Sequence, residues 1–355
     1  MAHGSGAFKT SYAADMALVD SAPRRLALGA LALSMLGLPW VVSPFALELC
    51  SQTALAAIGA LSLHLLTGMA GQISLGHAGF LAAGAFTVAI LVEATRAPAL
   101  VTLPAAALVG ALLGLAVGFP SLRLRGLYLA LGTLAMYYLV LYAGGEYQAR
   151  WGFNTGVSVP PLTLGPLSIR SGRHWYYVLA AAATAATFVC VNLGRSRVGR
   201  AWMALRDREP AAASLGIPVT RYKLLAFVAS SVMTSLAGAL WAYQRSFVSV
   251  EAFGFNVTVE YIAMVIIGGL GSVLGAIVGA AFVTLLPHVI DAGVGALKLG
   301  SAEYYLFPMK FGAFGLLMAL FLVFEPQGLV GIWRRARNWL LLWPLRYRPL
   351  RASSR

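Results

Sequence analysis

Residues 195–223 read Arg-Ser-Arg-Val-Gly-Arg-Ala-Trp-Met-Ala-Leu-Arg-Asp-Arg-Glu-Pro-Ala-Ala-Ala-Ser-Leu-Gly-Ile-Pro-Val-Thr-Arg-Tyr-Lys. The stretch carries seven basic residues and two acids, and long apolar runs flank it. That charge density excludes it from a lipid interior. It nevertheless carries helix signals. Two short helices are expected, hinged around Arg208 to Pro210, with the second from about Pro210 to Leu215. Proline is tolerated at a first helical position. Ala211-Ala212-Ala213 gives a smooth face of small residues, and Gly216 is placed to end the helix in a left-handed conformation. Trp202 and Met203 offer apolar contacts, and the arginines offer charge pairing. A rigid knob of this kind between membrane spans suits the transmission of a partner's motion. The alternative is a solvated basic loop resting on anionic lipid.

The rest of the chain is oily. Of 355 residues, 59% are hydrophobic and 11% charged, against about 25% charged in soluble domains. A membrane-crossing helix needs about 20 mostly apolar residues. Such runs fall near 26–43, 49–70, 79–95, 99–119, 127–143, 175–193, 224–243, 258–290 and 304–323. They are continuous rather than alternating, which excludes a β-barrel. The expected fold is all-α: a polytopic transmembrane bundle of 8–10 spans with Gly-rich broken or re-entrant helices. Threading the spans puts nineteen Lys and Arg on one side, with the 195–223 loop and both chain ends, and seven on the other. The positive-inside bias makes the first side cytoplasmic. The net charge of +14 therefore reads as topology and contact with membrane lipids, not nucleic acid. With both termini inside, crossings are even. Ten passes are expected if 258–290 crosses twice as a hairpin, and eight if it dips and returns. Residues 1–22 read as a disordered cytoplasmic tail, 23–332 as the transmembrane domain and 333–355 as a basic cytoplasmic tail. Cys50 and Cys190 are expected near opposite faces, so a disulfide is not expected.

The 38 glycines cluster. One cluster runs from Gly68 through Gly71, Gln72, Ser74, Gly76 and His77 to Gly79; the other holds Gly268, Gly269, Gly271, Ser272, Gly275 and Gly279. Each interrupts an apolar segment, one in each half of the chain. Paired interruptions of this kind point to broken helices lining a translocation path. Ser74 is placed to cap a half-helix starting near Leu75, whose free N–H groups would suit an anion such as a carboxylate. Tight packing is the alternative, since Gly271, Gly275 and Gly279 at spacing four form a small-residue face. His77 is an ionisable candidate within the membrane, but it has no neighbours at metal-ligand spacing.

Absences narrow the function. No Gly-Lys dipeptide occurs, so no GxxxxGK[ST] phosphate loop exists. HExxH, CxxC and GxSxG are also missing. Every Asp and Glu falls at or near a predicted span boundary, which argues against an ion-coupled carrier and against a membrane enzyme.

Five motifs in order resemble the LivM-type permease subunit of branched-chain amino-acid ABC importers. They are Gly71-Gln72-Ile73-Ser74-Leu75-Gly76-His77-Ala78-Gly79-Phe80, Leu122-Arg123-Leu124-Arg125-Gly126-Leu127-Tyr128, the 199–217 loop, Ile267-Gly268-Gly269-Leu270-Gly271-Ser272, and Glu325-Pro326-Gln327-Gly328-Leu329. The resemblance spans roughly residues 45 to 332. It implies a second permease subunit, two cytoplasmic ATPase subunits that hold ATP and Mg, and a periplasmic substrate-binding protein. No cofactor is implied on this chain. The 199–217 loop resembles the family's coupling element, with Arg208, Glu209, Pro210, Ala211, Ala212 and Gly216 as its core. Pro210, where an aliphatic residue is more usual, and Ala213, in place of a frequent acid, depart from the pattern. The resemblance implies alternating access near Gln72–His77 and Gly268–Ser272 in a bacterial cytoplasmic membrane. Branched-chain amino acids are the implied cargo, with urea or short amides as the alternative; a stand-alone carrier is the competing class.

Overall fold

The computed structural model describes residues 22–121, 126–152, 155–164, 167–169 and 171–296, short pieces between 312 and 325, and residues 328–342. The helices are α1 Ala22–Val41, α2 Pro44–Leu63, α3 His77–Thr95, α4 Ala99–Ser121, α5 Leu127–Trp151, α6 Gly172–Arg195, α7 Arg197–Asp207, α8 Glu209–Ser214, α9 Val219–Arg245, α10 Phe255–Gly268, α11 Val273–Ala296 and α12 Gly328–Leu342. Among the described residues, eight helical stretches are long and apolar enough to cross a membrane. The chain is thus a polytopic helical bundle. The long run 258–290 resolves into two of these stretches, joined by a turn at 269–272. The span expected over 304–323 and the motif around Arg123 and Arg125 lie largely outside the described residues, as do the outermost tails. The basic segment expected from 333 begins inside α12.

Serine caps set several helix starts. Ser43 accepts the N–H of Ala46, and Pro44 takes the first helical position of α2. Ser196 accepts the N–H of Gly199 at 3.2 Å, turning the chain sharply from α6 into α7. α5 runs eight residues beyond its expected end at 143. Its last turns carry an Arg150–Glu146 pair at 2.6 Å, one helical turn apart, so the helix continues once its surroundings become polar. The chain returning from α5 is pinned at that end by two short antiparallel ribbons: β1 Val157–Ser158 with β4 Phe247–Val248, and β2 Leu162–Leu164 with β3 Leu167–Ile169.

α9 lies against α3 and α4, while α2 packs on α6 and α11. Lipid tails are as apolar as leucine, so burial of apolar surface does not drive helices together in a membrane; close approach and hydrogen bonds do. Both occur here. Ser62 and Thr234 share a 2.8 Å bond, Ser230 donates to the Ser62 carbonyl at 2.8 Å, and Ser235 donates to the Ala106 carbonyl at 2.7 Å. The α10–α11 hairpin closes on glycine. A Cβ on Gly279 would strike the Met264 carbonyl, and one on Gly268 the Gly275 carbonyl. The small-residue face therefore packs through Gly275 and Gly279. Gly271 is not part of it; that residue sits in the turn, with nothing within 4 Å of its would-be Cβ. Cys50 and Cys190 are both free, and the buried Cys190 thiol points at the Leu61 carbonyl.

Candidate functional site

α2 does not run straight into α3. Its continuation, His64–Met69, is a π-helical turn, and residues 70–76 are irregular. A π-turn widens the helix, and such turns are often found at functional positions. Gln72, Ser74 and His77 are all buried in this break. Buried backbone N–H groups need partners, and here threonines from other helices supply them. Leu75 donates to Thr133 Oγ1 on α5 at 2.9 Å, and Ala78 donates to Thr258 Oγ1 on α10 at 3.1 Å. This corrects the expectation of a half-helix from Leu75 with N–H groups open to an anion. α3 starts at His77, Gly76 occupies its cap position, and Ser74 Oγ accepts only the nearby Gly76 N–H, at 3.3 Å. Two side-chain atoms in the break, Gln72 Oε1 and His77 Nε2, have no hydrogen-bond partner.

The second glycine turn meets the first. The Leu270 carbonyl and the His64 ring both crowd the position of a Cβ on Gly68. Ser272 caps α11 by accepting the Gly275 N–H at 2.8 Å, while Gly269 takes φ +119°. The start of α12 rests on this turn, since a Cβ on Gly328 would lie 2.6 Å from both the Gly269 nitrogen and the Ile267 carbonyl. Two of the five sequence motifs are thereby in contact.

The charged segment forms the two hinged helices expected. α7 and α8 are separated by Arg208 in an extended conformation, φ −155° and ψ 99°. α8 closes as a Schellman turn: Gly216 donates to the Ala213 carbonyl, Ile217 donates to the Ala212 carbonyl, and Gly216 has φ +82°. The pair is fastened to the break at several points. Arg206 Nη1 donates to the Gly68 carbonyl at 2.7 Å. Gln72 Nε2 donates to the Lys223 carbonyl at 3.3 Å, and Lys223 Nζ pairs with Glu209 Oε2 at 2.8 Å. That pair is largely shielded, with side chains 15% and 28% exposed. Trp202 is fully buried and donates to the Tyr222 carbonyl at 2.8 Å.

The sequence-selected residues of this segment thus divide. Arg208, Pro210, Ala211 and Gly216 face outward, whereas Glu209 and Ala212 face the protein. Leu215, not singled out from sequence, is 80% exposed at the tip of α8. A lone leucine between four small residues and Gly216, in an otherwise charged segment, is the sequence signal that could have found it.

At the other end of the bundle, a cavity of about 300 Å³ opens between α2, α3, α9, α10 and α11. Its polar lining comprises Gln52, Gln244, Arg245, Glu260, Thr284 and His288. None of these was selected from sequence. Glu260 was discounted because the span was expected to begin at 258; the apolar stretch begins at Val250, which carries Glu260 well inside. Tyr261 also lines the cavity, and its ring lies 4.6 Å from that of His77. One aromatic residue therefore stands between the cavity and the helix break.

Residues 45–323 match the family described as branched-chain amino acid transport system / permease component. The chain is 33% identical to the high-affinity branched-chain amino acid transport system permease protein LivM of Salmonella typhimurium, over 88% of this chain and 76% of that protein. It is 32% identical to LivM of Escherichia coli over the same shares. The autoinducer 2 import system permease protein LsrC of Escherichia coli is 28% identical over 53% of this chain and 56% of its own length. No solved structure matches.

Proposed function

This chain belongs to the permease family of branched-chain amino acid transport systems, and from that premise we propose that it is the translocating subunit of an ABC importer for branched-chain, hydrophobic amino acids. ATP and Mg are held by two separate ATPase subunits, a second permease subunit completes the membrane part, and a periplasmic protein delivers substrate. The transmembrane domain covers 23–332, the 195–223 loop and both termini face the cytoplasm, and α7–α8 is the surface the ATPase grips.

The observation that carries this reading is the set of bonds from that exposed helix pair to the helix break. Arg206 holds the Gly68 carbonyl, and Glu209, Lys223 and Gln72 form a second chain of contacts. Through Gly68 the pull reaches Leu270 in the second glycine turn. A displacement of α8 then moves both interruptions together, as alternating access around Gln72, Ser74, Gly76, His77, Gly268, Gly269, Gly271 and Ser272 requires. The π-turn and the glycine turn are the bistable elements that such a motion needs. The name of the autoinducer 2 relatives shows that permeases similar to this one also serve a non-amino-acid cargo; urea and short amides stay as second candidates.

The test is ATP-driven leucine uptake by proteoliposomes containing this chain with its permease and ATPase partners. Uptake that needs both ATP and the ATPase supports the reading. Uptake by the chain alone, coupled to an ion gradient, overturns it.

A further inference from the structure

We propose that the cavity between α2, α3, α9, α10 and α11 binds a zwitterionic α-amino acid with an aliphatic side chain, and so holds the cargo within this subunit during transport. The proposal deepens the importer reading and rests on it for the cargo's class. The walls are apolar, formed by Leu55, Leu81, Trp241, Met264 and Val283, and the volume of about 300 Å³ is at the small end of ligand pockets. The lining carries the opposite charges of Arg245, at the end of α9, and Glu260, on α10. Among the described residues neither forms an ion pair. Glu260 is half-buried within a membrane-crossing stretch, where a carboxylate is costly without a partner.

An amino-acid ligand meets both charges at once. Its carboxylate suits the guanidinium of Arg245, and its ammonium suits Glu260. Gln244 adds a further acceptor: its Nε2 is held by Glu48 at 3.3 Å, while its Oε1 is buried with no partner. Glu48 also accepts from Gln52 at 3.1 Å, so the rim is braced before any ligand arrives. The same arrangement rejects ligands with a single charge, because the opposite protein charge would stay unpaired. Tyr261 is part of the lining, and the His77 ring lies 4.6 Å from its ring. Opening of the break beneath His77 would release the ligand past Tyr261.

The test uses the assembled transporter in phosphatidylglycerol nanodiscs, without the binding protein. Equilibrium binding of radiolabelled leucine is competed with 4-methylpentanoate, which lacks the ammonium, and with 3-methylbutylamine, which lacks the carboxylate. Wild type is expected to favour leucine over either analogue by at least about tenfold. Glu260→Gln should erase the preference over 4-methylpentanoate, and Arg245→Gln the preference over 3-methylbutylamine. Equal competition by all three compounds in wild type overturns the proposal without any variant. So does displacement of leucine by added phosphatidylethanolamine, whose headgroup is also a zwitterion. A complex that transports leucine while both variants bind it as wild type loses the cavity assignment but keeps the importer reading. A complex that binds leucine with the expected charge signature yet never moves it with ATP keeps the cavity and loses the importer.

Discussion

Arg206 reaches from α7 to the carbonyl of Gly68, in the last turn before the chain breaks. Helix ends carry partial negative charge on their unpaired carbonyls, and a guanidinium is always charged, so this bond is charge-assisted. Bonds of that kind contribute about 1.5–3 kcal/mol. If α7–α8 relays force as proposed, Arg206→Ala lowers ATP-driven uptake by roughly tenfold, consistent with coupling changes of about 0.5–2 kcal/mol, while the ATPase still co-purifies. Full uptake by the variant would remove Arg206 from the relay. Gly279 gives a second prediction. Its Cβ position is filled by the Met264 carbonyl, so Gly279→Val forces α10 and α11 apart. The expected cost is about 1–3 kcal/mol, read as a lowered unfolding midpoint in detergent; an unchanged midpoint would mean that the hairpin is loosely packed. Sequence spacing exposed Gly279 because one face repeated every four residues. It hid Glu260, because one carboxylate near an estimated boundary cannot be placed to within a turn without knowing where the preceding helix ends.

At the scale of elements, α8 is the part with the sharpest consequence. It presents Arg208, Pro210, Ala211 and a widely exposed Leu215, and turns Glu209 inward toward Lys223. Under the proposed docking, Leu215→Asp or Ala211→Arg abolishes co-purification of the ATPase. Lys223→Met, by contrast, keeps the ATPase bound and weakens transport, since it severs the inner link only. The reverse pattern would place the docking surface elsewhere. This element was legible in the sequence because its cues are local: a proline at the start, three alanines, and a glycine for the left-handed residue. The break at 70–76 was legible as a break but not in its bonding. The hydroxyls that satisfy its N–H groups come from Thr133 and Thr258 on distant helices, and no local pattern announces them. The extension of α5 to Trp151 was missed for a simpler reason: hydropathy marks where lipid ends, not where a helix ends.

For the whole molecule, the bundle places its two features at opposite ends. The charged helix pair and both glycine interruptions share one end; the cavity with Arg245 and Glu260 opens toward the other, with Tyr261 and His77 between them. The proposed orientation has a direct check. In a background without Cys50 and Cys190, Ala213→Cys should react with an impermeant thiol reagent only from the cytoplasmic side, and Ala149→Cys only from the outside. Labelling of both from one side would contradict a crossing by α6 between them. The central claim is that this chain conducts and does not power transport, being moved through α8 by subunits made separately. The most direct measurement is leucine accumulation in vesicles holding the purified chain alone, compared with vesicles holding it together with its permease and ATPase partners. The account predicts uphill accumulation only in the second, and only with ATP inside the compartment that α8 faces. Uphill accumulation by the chain alone, on a proton or sodium gradient, would contradict it.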